Sequence, residues 1–323
     1  MLVSGPFVSV MSYCSARLLR KPETEAPTMT IFPSILRTVL VLGRVSNLPT
    51  IWTNVAVGWF LSGGSWTGEF GWILLGMSLI YIAGMTLNDA FDVEWDREYA
   101  ATRPIPSGRI GTGSVWLLGL LEMALGIAVL LLFSTTHPLF VGSLVAAVFL
   151  YNWIHKRWAG SVLIMGLCRA LVYLGAGSAV AAHTSSLEIP RILFLIAGGV
   201  VLYIAGLTLA ARSEHLATAK GPGLLPRLLL MLPVLFPLLA FRTVSDNVLT
   251  YSLVVIGVVG IWSWLMITRR ALHTRIPKGI AYAIAGIAFF DAAVISFADW
   301  RAALLCLLLF VVTLGAQRVI PAT

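Results

Sequence analysis

The densest group of chemically active side chains lies in the segment YIAGMTLNDAFDVEWDREYAATRPIPSGRI. Asn88, Asp92 and Asp96 follow one another at four-residue spacing, so on a helix they share one face, and Asp89 lies beside that face. Four oxygen-bearing side chains within about two and a half helical turns repel one another unless a cation is present. Hard oxygen ligands suit Mg²⁺, which is often shared with substrate phosphates. The pattern predicts a magnesium site for a phosphate-bearing ligand, and a solvated acidic helix end is the alternative.

The composition shows what kind of protein must position these residues. Of 323 residues, 59% are hydrophobic and 11% are charged, whereas a soluble domain has about a quarter of its residues charged. Disorder and a water-soluble globule are both excluded, because so much apolar surface must be buried or face lipid. Long, continuous apolar runs favour helices over a β-barrel. The net charge of +8 fits basic cytoplasmic loops, so we expect no nucleic-acid partner.

Ten apolar runs approach the length of about 20 residues that a helix needs to cross a bilayer. The ninth and tenth are separated only by Asp299 and Trp300, so they could form one broken unit. We predict an all-α, polytopic bundle of nine to ten transmembrane helices over residues 35–320. The runs cover residues 37–62, 70–91, 113–133, 138–154, 161–182, 191–211, 224–241, 248–268, 280–297 and 300–318.

The segment before the first run is rich in Ser, Pro and Thr and contains no apolar core long enough for a secretory signal. Residues 1–34 are therefore predicted to form a disordered N-terminal tail. Met29 followed by TIFPSILRTVL also resembles a natural start, so the alternative is a chain that begins there.

Basic residues mark one end of the predicted bundle. The loops after the even-numbered runs hold 12 of the 22 Lys and Arg residues, whereas the opposite loops hold three. The positive-inside rule places the even loops and the amino terminus in the cytoplasm. We therefore expect an integral, multi-pass protein of the cytoplasmic (inner) membrane, with the acidic site facing the cytoplasm.

Three sequence elements between residues 40 and 160 carry a resemblance to a known family. The segment NDAFDVEWDRE, together with the RPIPSGRI loop from Arg103 to Arg109, resembles the first aspartate-rich motif of the UbiA superfamily of intramembrane prenyltransferases. GRVSNLPTIWTNVAVGW resembles the opening helix of that family, with Arg44 and Asn47 at its polar positions. YNWIHKR resembles a third family element, whose functional positions are Tyr151, Lys156 and Arg157.

The resemblance implies transfer of a prenyl group from an allylic prenyl diphosphate, inside the membrane, to an aromatic or other small acceptor. It implies Mg²⁺ on the acidic motif and apolar walls that shield the allylic cation. The expected partners are the prenyl diphosphate, membrane lipid and an acceptor that the sequence does not name. The implied site residues are Asp92, Asp96 and Lys156 as catalytic groups; Asn88, Asp89, Asp92, Asp96 and Glu214 as metal ligands; Arg103, Lys156, Arg157 and Arg212 as diphosphate ligands; and Arg44, Asn47 and Tyr151 as substrate ligands.

The second acidic motif that the resemblance implies is degenerate. YIAGLTLAA repeats YIAGMTLND in the same orientation, but Ala210 and Ala211 replace the Asn-Asp pair and only Glu214 retains a carboxylate. We predict one Mg²⁺ together with an arginine clamp that includes Arg212. A two-metal site that uses Glu214 is one alternative, and a basic loop without a role in the site is another. This degeneracy, together with RVSNLPT and Arg169, is similar to a divergent UbiA-like subgroup encoded in bacterial and algal Ebo clusters.

Two further charges lie deep in apolar runs, where each needs a partner. Arg169 lies in the fifth run and Asp291 in the ninth, so they could pair, or Arg169 could meet the diphosphate or Glu214. Glu122 is a third acid, with no assigned role. The alternatives to an enzyme are a transporter or a lipid-binding protein, although the repeat is parallel rather than inverted. A third alternative is an enzyme with a different reaction, namely a phosphotransferase or phosphatase that acts on a lipid diphosphate.

Overall fold

The computed structural model describes residues 34–184, 188–212, 223–241 and 248–322. All regular structure in these ranges is helical, which confirms the predicted all-α class. Glu214 and the predicted tail before Ser34 lie outside the described residues. The helices are α1 (Ser34–Leu42), α2 (Pro49–Leu61), α3 (Gly68–Phe91), α4 (Val93–Tyr99), α5 (Thr112–Phe133), α6 (Pro138–Ile154), α7 (Ser161–Ala181), α8 (Arg191–Arg212), α9 (Leu224–Leu230), α10 (Phe236–Phe241), α11 (Val248–Thr274), α12 (Ile276–Ile295) and α13 (Trp300–Ala316).

Among the described residues, six helices are long and apolar enough to cross a membrane, namely α3, α5, α7, α8, α11 and α12. Three shorter apolar segments accompany them: α6, α13 and Leu224–Ala240. The ninth and tenth predicted runs form two separate helices, because the Asp299 carboxylate caps α13 by accepting from the backbone N–H groups of Arg301 and Ala302. The count of nine to ten crossings remains a prediction.

The first predicted run is interrupted rather than continuous. α1 ends at Leu42, and a 3₁₀ turn over Val45–Asn47 separates it from α2. Arg44 lies at the break in the left-handed region, with φ 43°. A non-glycine residue pays for this conformation in free energy, and such strain concentrates at functional sites.

α2, α7 and α12 form the buried centre of the bundle, and α2 also packs against α3 and α13. Close approach of α2 and α7 depends on Gly58, where an added Cβ would lie 2.2 Å from the carbonyl oxygen of Tyr173. The same holds between α7 and α8 at Gly166, whose Cβ would lie 2.4 Å from the carbonyl oxygen of Val201. Small residues commonly let membrane helices pack closely.

One end of the bundle gathers the carboxyl ends of α3, α6 and α8; we call it the acidic end. The carboxyl-terminal segment also returns there, because Asn47 donates to the carbonyl oxygen of Ala322 at 2.8 Å. Gln317, just after α13, donates to Asn47 at 3.1 Å. The turn between α1 and α2 is therefore held in place by the last described residues of the chain.

Candidate functional site

The acidic segment continues past α3 with little interruption. α3 ends at Phe91, Asp92 forms the junction, and α4 begins at Val93. Backbone hydrogen bonds bridge the junction, from Asp92 N to the oxygen of Asn88 at 3.0 Å and from Asp96 N to the oxygen of Asp92 at 2.8 Å. The acidic side chains therefore keep nearly helical spacing at the acidic end.

Asp89 and Asp96 share one basic partner. They lie seven residues apart, about two turns, and both are buried. Nη1 of Arg103 lies 2.8 Å from a carboxylate oxygen of Asp96 and 3.5 Å from one of Asp89. Burial alone would lower the pKa of Arg103, but the charges of Asp89 and Asp96 outweigh it and raise that pKa. The guanidinium is thus firmly cationic between the two carboxylates.

The RPIPSG loop returns Arg103 to the acids. Ile105 is buried against Leu42 and Val115 and anchors the loop. The loop closes through the hydrogen bond from Ser107 N to the carbonyl oxygen of Arg103 at 3.0 Å, and Gly108 follows at φ 74°, where L side chains are strained.

Asp92 turns away from Arg103 toward the end of α6. Its carboxylate lies 3.1 Å from Nε2 of His155 and 3.2 Å from Nζ of Lys156. Burial alone would raise the pKa of Asp92, but His155 and Lys156 outweigh it and lower that pKa. The acids therefore form two groups, and Asp96 pairs with Asp89 rather than with Asp92.

The end of α6 also positions His155 and Asn88. Nδ1 of His155 faces the carbonyl oxygens of Tyr151 and Asn152 at 3.2 and 3.1 Å. Because Nε2 faces Asp92 at 3.2 Å, both ring nitrogens of His155 lie beside oxygen atoms. Asn88 donates to the Asn152 side chain at 3.1 Å. The sequence analysis missed Asn152 and His155, although both lie in YNWIHKR, one and four residues after Tyr151.

Arg212 contacts the loop between α6 and α7. It donates to the carbonyl oxygens of His155 at 3.0 Å and Ala159 at 3.2 Å, and to the hydroxyl of Ser161 at 2.9 Å. These bonds hold the loop that carries Lys156. Arg157, in the same loop, is exposed and makes no ion pair with the acids in the described part of the chain.

An apolar cavity of about 220 Å³ opens beside this cluster. Its polar wall includes Arg44, Asn47 and Tyr151, the three residues predicted to bind substrate. Arg44 also lies 3.7 Å from Asp89. The apolar wall is formed by Ile51, Met77, Ile80, Leu144, Val148 and Ile284. The structure thus places a charged cluster next to a space that suits a hydrocarbon chain.

The residues present fit one cation between Asp89 and Asp96, because a single guanidinium already bridges them. In the described ranges, no three His, Cys, Asp or Glu side chains converge closely enough to hold a metal ion in this arrangement. The predicted ligand set therefore stays a prediction as a whole; its members are Asn88, Asp89, Asp92, Asp96 and Glu214.

The two deep charges, Arg169 and Asp291, do not touch. Arg169 donates to Asn54 at 2.6 Å, and Asn54 donates to Asp291 at 2.7 Å, so one amide separates them. Thr53 and Tyr173 donate to the same carboxylate at 2.6 and 2.7 Å. A direct pair, one of the predicted alternatives, is therefore wrong.

Comparisons with known proteins agree with the fold and the motif. The profile of the UbiA prenyltransferase family matches residues 47–273. Protoheme IX farnesyltransferase of Bacillus pumilus is 30% identical over 126 residues, which cover 37% of this chain and 41% of that protein. Digeranylgeranylglyceryl phosphate synthase of Methanococcus aeolicus is 28% identical over 162 residues, or 49% and 56% of the two chains. The chain thus spans about half the length of the curated relatives it matches.

A solved structure of a UbiA homologue from Archaeoglobus fulgidus, bound to GPP and Mg²⁺, has a TM-score of 0.56 at 16% identity. The match covers 80% of this chain and 99% of that one. At this identity the likeness concerns the fold alone, whereas the profile match extends over more than half of the sequence. The chain belongs to the UbiA prenyltransferase family.

Proposed function

We propose that this protein transfers a prenyl group from a prenyl diphosphate to a small acceptor at the acidic end of the bundle. The observation that carries the proposal is the charged cluster of Asp89, Asp96, Arg103 and Lys156 beside an apolar cavity. A prenyl diphosphate has the same division, because its head is highly charged and its tail is hydrocarbon. The relatives named above support this donor class.

Asp89 and Asp96 would hold one Mg²⁺, since their oxygens converge on a single cationic group. When bound, the ion would neutralise the diphosphate and make it a better leaving group. Asp92 contributes less directly, because it is ion-paired with Lys156 and contacts His155. Its role is to hold Lys156 at the edge of the cluster.

Basic side chains supply the rest of the diphosphate site. Lys156 is close to Trp95, with Nζ 5.0 Å from the ring centroid, and its side chain remains partly exposed. Arg44 and Arg103 already contact Asp89 and can form charge-assisted hydrogen bonds to phosphate oxygens. Arg157 is exposed beside Lys156 in the same loop and adds positive charge there. Arg212 is a positioning residue, because its guanidinium donates hydrogen bonds to the loop before α7 and so holds that loop in place.

The cavity supplies what the hydrocarbon tail and the cation need. Its apolar walls exclude water, which would otherwise capture an allylic cation. Asn47 and Tyr151 line the polar side, where an acceptor must approach the reacting carbon. The cytoplasmic position of this end follows from the basic loops and is part of the proposal.

The test is Mg²⁺-dependent release of pyrophosphate from geranyl diphosphate by the purified protein in membranes, with a panel of acceptors. We expect Asp96→Asn and Arg103→Gln to lower release at least about tenfold, which corresponds to about 1.4 kcal/mol of transition-state stabilisation. The matched controls are Glu94→Gln and Arg97→Gln, because these residues form an exposed ion pair on the same helix.

Equal activity of the Asp96 variant and its Glu94 control would contradict the proposal, provided that both unfold at the same temperature. A protein that binds geranyl diphosphate but releases nothing would support a transporter or a lipid-binding protein. Release of inorganic phosphate instead of pyrophosphate would indicate a phosphatase.

A further inference from the structure

The wall of the cavity carries an uneven distribution of charge. Its charged lining residues in the described chain are Arg44 and Arg169, and no acidic side chain is among them. Arg44 has Asp89 at 3.7 Å. Arg169, in contrast, has only neutral direct partners, so its positive charge faces the cavity without a carboxylate in contact.

Arg169 is held by one of its nitrogens. Nη1 donates to Thr50 at 2.9 Å and to Asn54 at 2.6 Å. A guanidinium has five N–H donors in a planar fork, and these two bonds use only those of Nη1. Within the described residues, no hydrogen-bond acceptor is found for Nη2 or Nε. The remaining donors of Arg169 are therefore available to a ligand in the cavity.

The network behind Arg169 fixes the direction of the fork. Asn54 directs its amide nitrogen to Tyr173 and Asp291, both at 2.7 Å, so its oxygen must face Arg169. Thr50 donates to the carbonyl oxygen of Asn47 at 2.7 Å, which leaves its lone pairs for the same guanidinium. Asp291 thus balances the charge of Arg169 through an amide without occupying the fork.

The backbone of Arg169 lies some distance along the bundle from the acidic end. It lies eight residues into α7, about 12 Å along the axis from the acidic end. On α3, Tyr81 lies eight residues before Asp89, again about 12 Å away, and the Arg169 guanidinium is 6.0 Å from the Tyr81 ring centroid. The cavity guanidinium that contacts the acids is that of Arg44, at 3.7 Å from Asp89, and not that of Arg169.

We propose that Arg169 forms a second anion subsite in the cavity, which binds a carboxylate or phosphate group of the prenyl acceptor. A planar guanidinium with open donors suits bidentate contact with an oxyanion. An acceptor held there presents its nucleophile toward the acidic end, where the donor is activated. This inference rests on the proposed function, because it assumes that the cavity admits an acceptor.

The test is a binding measurement that needs no turnover. Full-length protein in detergent micelles is titrated by calorimetry with benzoate and with glycerol 1-phosphate, against benzyl alcohol and glycerol as their neutral counterparts. We expect at least one oxyanion to bind more tightly than its counterpart, and the two arms distinguish a carboxylate from a phosphate.

Arg169→Gln keeps a donor for Thr50 and Asn54 but removes the charged fork. We expect it to weaken binding of the oxyanion at least about tenfold, the effect of losing a charge-assisted contact. The affinity of Arg169→Gln for geranyl diphosphate with Mg²⁺ should stay within about twofold of the wild-type value. Arg191 is exposed, so Arg191→Gln is the control, and its affinity for every probe should also stay within about twofold of wild type. Arg169→Lys keeps the charge without the fork and should bind the oxyanion at an intermediate affinity.

The proposal is overturned if wild-type protein binds neither oxyanion better than its neutral counterpart, or if Arg169→Gln binds it as well as Arg191→Gln does. Weakened binding of geranyl diphosphate instead would assign Arg169 to the donor and also overturn it. If Arg169→Gln fails to fold, Arg169→Lys provides the same comparison. Oxyanion binding without pyrophosphate release would contradict only the proposed function. Pyrophosphate release without oxyanion binding would contradict only the subsite.

Discussion

Gly58 couples the packing of the bundle to the polar network around Arg169. It lies on α2, one turn after Asn54, and faces α7 one turn after Arg169. A Cβ at this position would lie 2.2 Å from the carbonyl oxygen of Tyr173 and 3.0 Å from Ala176. Since the nearest atom belongs to the backbone, it cannot move aside as a side chain would. We expect Gly58→Ala to force α2 and α7 apart.

The geometry sets the size of the effect. Ordinary van der Waals contact begins at 3.4 Å, so the helices must separate by the difference from 2.2 Å, which is 1.2 Å. The same movement would stretch the Asn54–Tyr173 bond from 2.7 to 3.9 Å and the Arg169–Asn54 bond from 2.6 to 3.8 Å. Neither distance is a hydrogen bond. Overpacking and two lost bonds together should destabilise the fold by roughly 2–4 kcal/mol.

The free energy of unfolding can be measured by titration with SDS in mixed micelles, with tryptophan fluorescence as the signal. Gly198→Ala in α8 is the matched control, because an added Cβ there meets no described atom within 4 Å. Helix propensity alone should leave the control unchanged or stabilise it by up to about 1 kcal/mol. If both variants are equally stable, the close approach of α2 and α7 is wrong. Gly58→Ala should also lose oxyanion binding at Arg169.

Three further predictions concern other parts of the chain. Asp299→Ala removes the cap of α13 and should lower the free energy of unfolding by about 1 kcal/mol. Burial raises the pKa of Asp299, but its hydrogen bonds outweigh burial and lower that pKa. Unfolding titrations at several pH values should therefore show the difference from wild type near neutral pH and lose it below pH 3.8. Asn47→Ala frees the segment that ends at Ala322, and trypsin should then cleave after Arg318 faster than in wild type. In a cysteine-free background, Ser107→Cys should react with an impermeant thiol reagent only from the cytoplasmic side and Ser65→Cys only from outside; the reverse result would invert the topology.

Much of the fold could be predicted because hydropathy determines it locally. A helix in lipid must satisfy its own backbone hydrogen bonds, so a long apolar run specifies both the element and its length. The run at 70–91 corresponds to α3 over Gly68–Phe91, and 161–182 to α7 over Ser161–Ala181. The first run differs, because the break at Arg44 depends on contacts with Ala322 and Gln317 at the other end of the chain. Local hydropathy carries no information about such contacts.

The composition of the candidate site could be predicted from the sequence, but the pairing of its charges could not. Residue type and spacing identified Asp89, Asp92 and Asp96, because clustered carboxylates in an apolar chain require a cation. Their partners come from loops distant in sequence, and Arg103 and Lys156 divide the acids into two groups. For the same reason the amide of Asn54 between Arg169 and Asp291 could not be foreseen. A sequence shows which residues are charged, but it does not show which neutral side chain will lie between two of them.

The degenerate half of the repeat determines which charges line the wall of the cavity. In the first half, Asp89 stands against Arg44 and Arg103 and offsets their charge. The corresponding residue of the second half is Ala211, which lines the cavity with a methyl group. A second acidic cluster at that position would add negative charge to the wall shared with Arg169. Without such a cluster, the charges of the wall in the described chain are all positive, which is the arrangement that the proposed acceptor subsite requires.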